Sequence, residues 1–235
     1  MLPQAIRSVL YGGERSFAQE GEDRILVKMF DAPDGVYRPA RDGFYVDVGA
    51  LDPMRFSNTH LFYRRGWRGV NIDATPGSMR LFNRYRPRDT NIETGIGLDS
   101  GTMPFYVFTE PALNSFDREL SESRHAVATE HKLEQYRIEK IVDVPVEPLS
   151  AVISRYLPDE DVPSFLSVDV EGVDLEVLQS NDWSAFRPTY VLAESLRTDI
   201  EETMRGPISV FMGSVGYHFI AKTANTAFYH RISAA

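Results

Sequence analysis

The chain has 235 residues, 43% of them hydrophobic, and carries 25 basic against 34 acidic side chains for a formal net charge of -9 and a pI near 5.1. That length and apolar content suffice for one sizeable core, so a single domain over 1–235 is expected. The acidic balance and the lack of a Lys/Arg run exclude tight binding to nucleic acid or an anionic membrane surface, and the absence of cysteine excludes disulfides, thiolate catalysis and Cys-ligated zinc.

The segment Met1-Leu2-Pro3-Gln4-Ala5-Ile6-Arg7 lacks a basic start followed by an apolar run, and no stretch approaches a membrane span, so a cytoplasmic location is expected. Residues 1–40 read as an N-terminal helical segment. Within it, Glu20 to Phe30 places Ile25, Leu26, Met29 and Phe30 on one stripe that should lean on a sheet edge. The run from Gly43 to Ala50 is a buried strand ending in Asp47 and Gly49. Asn58 to Arg65 is a crossover helix that Ser57 or Asn58 can cap. A second strand, Gly69-Val70-Asn71-Ile72-Asp73, again ends in a carboxylate. Pro76 to Tyr85 is the next helix, with proline in its first turn. Thr90 to Gly97 reads as a third strand. After the turn Asp99-Ser100-Gly101, Met103 to Phe108 reads as an extra one.

From Phe116 to Lys140 the chain is polar and mixed in charge. Leu120, Val127, Leu133 and Tyr136 are too sparse for a buried helix. The segment reads as a lid over a ligand site or as a solvated surface helix. Ser164 to Val170 is the fourth strand, Asp174 to Gln179 opens a helix, and Thr189 to Leu196 is the fifth strand. Tyr217 to Ala221 and Ala227 to Arg231 form a terminal hairpin. The alternation predicts a doubly wound, mostly parallel α/β sheet with an antiparallel end.

Acids at the tips of two consecutive strands, about two dozen residues apart, suit a nucleoside held through its ribose hydroxyls. A dinucleotide would need a glycine-rich first turn free of fixed negative charge. The turn here is Asp47-Val48-Gly49-Ala50-Leu51-Asp52-Pro53, with one glycine and two carboxylates. S-adenosylmethionine has no phosphate and carries a cationic sulfonium, so it suits this turn better. A nicotinamide-dependent oxidoreductase and a nucleoside-binding module without catalysis stand as alternatives.

These blocks resemble the FkbM family of S-adenosylmethionine-dependent methyltransferases. The resemblance begins at Ser16-Phe17-Ala18-Gln19-Glu20-Gly21-Glu22-Asp23 and continues through the first strand, Ser57-Asn58-Thr59, Gly66-Trp67-Arg68-Gly69 and Arg86-Pro87-Arg88-Asp89. It ends with Phe165 to Gly172 and Asn225-Thr226-Ala227-Phe228-Tyr229. It implies a Rossmann-like class I methyltransferase fold and O-methylation of a hydroxyl on a sugar, glycan or small natural-product acceptor. The chain departs from the pattern after Asp73, where Ala74 and Thr75 precede Pro76, at Asp174, and around Leu113-Asn114-Ser115.

Open α/β sheets bind ligands beyond the carboxyl ends of their strands. The expected cofactor-binding set is therefore Gln19, Asp47, Gly49, Ala50, Asn58, Asp73, Ala74 and Asp99: the methionine end at Asp47, Gly49 and Ala50, the ribose at Asp73, the adenine amine at Asp99. Strand alternation would send Asp169 and Glu171 to one face, with Glu194 arriving from the neighbouring strand. These three are the expected catalytic carboxylates. They supply a general base of raised pKa or hold a hard cation such as Mg²⁺, and the base without metal is favoured. Glu171 as a helix cap and Glu194 as an arginine's partner are the bland alternatives. His60 is expected to face solvent from its helix, or else the acceptor. His125 and His131 fall in the lid, and His218 and His230 look structural. Without an H-x-x-H pair no zinc site is expected. Trp67 and Trp183 are expected core anchors. A homodimer is the default assembly.

Overall fold

A computed structural model describes residues 15–33, 35–36, 38–158, 162–196 and 198–232; the expectations for the first fourteen residues lie outside that set. Its centre is a seven-stranded sheet. In chain order its strands are β1 (Phe44–Val48), β2 (Arg68–Asp73), β3 (Thr90–Glu93), β7 (Ser164–Val168), β8 (Tyr190–Glu194), β9 (Tyr217–Lys222) and β10 (Thr226–Arg231). Their spatial order is β3-β2-β1-β7-β8-β10-β9. The first five are parallel, and β10 and β9 close the sheet antiparallel. This is the doubly wound sheet with a terminal hairpin that the sequence predicts.

The parallel strands are apolar on both faces because helices cover both. On one face Phe44, Val46, Val48, Val70, Ile72, Leu166 and Val168 meet α5 (Leu149–Ile153), α6 (Asp174–Gln179) and α8 (Pro207–Ser214) through Val152, Val177, Leu178 and Met212. On the other, Tyr45, Phe165, Leu192 and Phe228 meet Leu26, Val27 and Phe30 of α1 (Glu22–Asp31) and Phe62 of α2 (His60–Arg64). α1 therefore lies over the central strands, not at a sheet edge. Trp67 is buried among these rings, 4.9 Å from Phe30 and 4.8 Å from Phe62, as an anchor should be. Trp183 packs at 5.2 Å from Tyr217 and donates from Nε1 to the Leu178 carbonyl. The Ser57 hydroxyl accepts from the His60 N–H and so opens α2.

The predicted strand Thr90–Gly97 is in fact divided. After Glu93 the chain leaves β2, and β4 (Gly95–Ile96) joins a three-stranded sheet of order β4-β6-β5, with β5 at Gly101–Phe108 and β6 at Ile138–Glu147. Thr94 makes the break: its N–H donates to the Asp73 carbonyl while its hydroxyl donates to the carbonyl of Pro145 on β6. A side chain at Gly95 would collide with Phe116 and Val146 at 2.5 and 2.7 Å, so only glycine allows this close pairing. β6, α5, α7 (Ile200–Arg205) and α8 are additions to the elements expected.

Beneath the carboxyl ends of the strands lies one fully buried arginine. Arg86 follows α3 (Met79–Tyr85) and donates to Asp89 (2.8 Å), Thr59 (2.8 Å) and the Tyr45 hydroxyl (2.8 Å). Asp89 also accepts from Gly69 N–H and Asn71, tying the network to β2. Removing one partner of a buried ion pair leaves the other uncompensated, a cost of about 3–5 kcal/mol. Arg86→Leu should lower unfolding free energy by roughly that amount, read from urea denaturation; a loss near zero would mean that the network is dispensable.

Candidate active site

Two adjoining cavities open at the carboxyl ends of the parallel strands. The inner cleft, about 80 Å³, runs between Gly49 after β1, Asp73, Ala74 and Thr75 after β2, Thr94 to Ile96 at the strand break, and Asn114. The outer cavity, about 750 Å³, is walled by Leu120, Arg124, Val127 and Ala128 of α4 (Arg118–Glu130) and floored by Asp169, Glu171 and Glu194. Gln19, Phe56, Asp169 and Glu171 line both.

Asp73 is buried at the tip of β2. One of its oxygens accepts from the Leu51 N–H and the other from the Thr75 N–H, both at 2.8 Å. Burial raises its carboxyl above the usual range, and those two amides oppose the rise. The Thr75 and Ser78 side chains oppose the rise as well, so a ligand donor would share Asp73 with them. Asn114 is held beside it, accepting from the Phe108 N–H and donating to the Thr75 hydroxyl. Among the described residues that line the inner cleft there are three carboxylates and no Lys, Arg or His. The Gly49 and Ala50 N–H groups both donate to the Ile72 carbonyl, at 2.9 and 3.1 Å, so the turn has no free amides for a phosphate.

Gly49 has φ +80°, and a Cβ there would lie 1.8 Å from the Asp169 carbonyl oxygen. The tips of β1 and β7 touch at this point, and Asp169 N–H donates to the Val48 carbonyl. β7 stops at Val168, two residues earlier than predicted. Asp169 and Glu171 therefore do not converge by strand alternation. Glu171 adopts a left-handed φ of 57°, a strained conformation costing about 1–3 kcal/mol, with its carbonyl accepting from the Ser115 hydroxyl at 2.7 Å. Glu194 ends the adjacent strand β8, and its backbone N–H donates to Asp174. One oxygen from each of Asp169, Glu171 and Glu194 lies within 4.8 Å of the others.

Three carboxylates so close cannot all ionise readily. Burial and then Glu171, Asp174, Asp47 and Glu22 push the Asp169 carboxyl well up. Solvent reaches Asp169 through the open cavity, which weakens both the burial and the charge contributions to that rise. Burial first, then Asp169, Glu171 and Asp174, raise Glu194 strongly, with Arg124 opposing. Burial raises Glu171 too, against an Arg124 guanidinium 2.6 Å away.

Several expected residues lie elsewhere. Asp47 shares the face of Tyr45, not that of Val48, so it points under the sheet, where it accepts from Thr59 at 2.6 Å and lines neither cavity. Ala50 packs with Met79 and Phe82. Asp99 lies in an exposed turn between β4 and β5, because the strand break carries the chain off the main sheet before that residue. Asn58 lines the outer cavity and donates to the Ser167 hydroxyl. His60 is buried against Phe17, not solvent-facing, and burial with Arg86 and Arg64 lowers its pKa to about 4. His125 accepts from the Ile138 N–H, while the rings of His218 and His230 meet on the outer strands. The residues missed were Thr75, Thr94, Asn114, Arg124 and Phe56. The departures noted at Ala74-Thr75 and around Leu113-Asn114-Ser115 were the signals that pointed at Thr75 and Asn114.

The methyltransferase FkbM domain matches residues 47–219 of the chain. The chain belongs to that family. No curated protein matches it. The crystal structure of methyltransferase FkbM from Methylobacillus flagellatus KT is similar with TM-score 0.50 and 14% identity, over 84% of this chain and 45% of that one. The chain thus spans less than half the length of that relative, and the likeness shows the fold, which is Rossmann-like. Precorrin-6y C5,15-methyltransferase from Geobacter metallireducens GS-15 is similar with TM-score 0.44 and 11% identity, over 94% of this chain and 92% of that one. Among the described residues no helix is long and apolar enough to cross a membrane.

Asp174 offers a test of the site's electrostatics. Burial pushes its carboxyl up to about 7 from 3.8, with Glu171 adding to the rise and the Glu194 and Gly172 N–H groups opposing it. Because the folded-state value is the higher one, the folded chain binds the proton more tightly. The stabilisation is full below about pH 4 and is lost as pH rises to about 7, at up to ~1.4 kcal/mol per pH unit. Thermal melts should show Asp174→Asn gaining on the wild type across that window and levelling off above it; a pH-independent difference would refute the shift.

Proposed function

We propose that this FkbM-family chain transfers a methyl group from S-adenosylmethionine to a hydroxyl of a sugar or another small acceptor. The observation that carries the reading is the inner cleft: a ribose-ready carboxylate at Asp73, two further carboxylates and no cationic side chain. Such a lining favours a cationic nucleoside and repels a pyrophosphate. With the Gly49 and Ala50 amides already engaged, a nicotinamide dinucleotide is the poorer fit.

In this reading Asp73 takes the ribose hydroxyls, Ala74, Thr75, Thr94 and Asn114 flank the base, and Gln19 and Gly49 border the methionine half. When bound, S-adenosylmethionine supplies an electrophilic methyl carbon whose bond to sulfur breaks with the electron pair left on sulfur. What the protein adds is alignment and a place for the acceptor's proton. An acceptor in the outer cavity would lie against Asp169 and Glu194, which would take that proton, and α4 would cover it as a lid. A metal-free base is the better reading because Arg124 already supplies a positive charge at Glu171.

Calorimetric titration should give binding of S-adenosylhomocysteine and none of NAD. Asp73→Ala, losing charge-assisted hydrogen bonds, should weaken that binding about 10- to 100-fold. Binding of NAD alone would overturn the assignment. In a screen of hydroxylated acceptors with labelled S-adenosylmethionine, Asp169→Asn should cut turnover about 10²- to 10⁴-fold while leaving S-adenosylhomocysteine affinity intact. Limited proteolysis between residues 116 and 140 should slow when S-adenosylhomocysteine is added; unchanged cutting counts against a lid.

A further inference from the structure

Asp169 and Glu171 line both cavities. Any group that passes from the inner cleft to the outer one must pass these carboxylates. Glu194 completes the trio within 4.8 Å. The charged groups around them are Asp174 on α6, Asp47 on β1, Glu22 on α1 and Arg124 on α4. Glu20 also lines the outer cavity, and among the described residues that line it only Arg124 is positive. Its guanidinium is 2.6 Å from Glu171 and acts more weakly on Glu194, leaving Asp169 and Glu194 with no ion-pair partner among the described residues.

Resting on the cofactor reading above, we propose that Asp169 and Glu194 share one proton in the free protein and release it when a sulfonium cation occupies the inner cleft. Two carboxylates with oxygens within 4.8 Å of each other and short of positive charge together bind one proton more readily than either would alone. A fixed positive charge close by substitutes for that proton. The proton leaves to solvent, and both members of the pair are then carboxylates. A neutral thioether in the same cleft provides no such substitute, so the proton stays.

The two states then form a cycle of constant charge. With the sulfonium bound, the pair is anionic and competent as a base. As the acceptor oxygen forms its bond to the methyl carbon, the carbon–sulfur bond breaks, its electron pair remains on sulfur, and the hydroxyl proton goes to the Asp169–Glu194 pair. The product side holds a neutral thioether and a protonated pair. The base is thereby armed only when a methyl donor is present.

The test needs no acceptor. Calorimetric titrations of the whole chain at pH 7, in phosphate and in Tris, give the proton count of each ligand from the difference in buffer ionisation heat. S-adenosylmethionine should release about one proton more than S-adenosylhomocysteine. The difference should shrink towards zero in Glu194→Gln. Equal counts for the two ligands in the wild type, with both bound, would overturn the inference and leave the cofactor reading standing. An undiminished difference in a folded Glu194→Gln would also overturn it. Failure of both ligands to bind would remove the cofactor reading itself.

Discussion

The site depends on a single backbone contact, the pass between Gly49 and the carbonyl of Asp169. The tips of β1 and β7 meet there with no room for a side chain. That contact brings the turn after β1, which borders the inner cleft, against the turn after β7, which supplies two of the three clustered carboxylates. Strand pairing in register alone would put the ends side by side. The left-handed turn at Gly49 and the strained turn at Glu171 convert that adjacency into a shared wall. The two cavities share lining residues because their strands touch.

The sheet was legible because its parallel strands are buried on both faces and read as short apolar runs. The acids at their tips were legible as a class, but which way each points was not always read correctly. Alternation from Val48, which lines the cleft, already turns Asp47 to the opposite face, where Thr59, itself bonded by Arg86, donates to it. Asp99 was misplaced for a reason no local pattern carries: Thr94 and Gly95 take their partners from β6, some fifty residues on. The carboxylate trio does assemble, though through a turn and not by the alternation expected. The sparse apolar residues of 116–140 were a poor core signal because Leu120, Val127, Leu133 and Tyr136 look into a cavity.

Electrostatically the molecule separates two tasks. Below the strand ends, Arg86 gathers Asp89, Tyr45 and Thr59, with Asp47 one hydrogen bond further on, into a buried network. Such a network fixes geometry and is costly to disturb. Above the strand ends the balance reverses: acids outnumber cations, and Arg124 alone answers them among the described cavity-lining residues. Compensated charge holds the scaffold, and uncompensated charge is kept where a cationic ligand would meet it.

The way α4 is attached has a consequence for how this scaffold can diversify. Within the helix only Ser121 and Ala128 are buried, its start is held by the Asp117 cap, and its link to the floor is the Arg124–Glu171 pair. Its cavity-facing side chains carry little of the fold's stability. Substitutions at Leu120, Val127 or Ser123 can therefore accumulate with small effect on folding and none on the cleft between β1 and β2. In the proposed reading, the half of the site that would face the acceptor is free to drift while the half that would hold the nucleoside is constrained by the sheet.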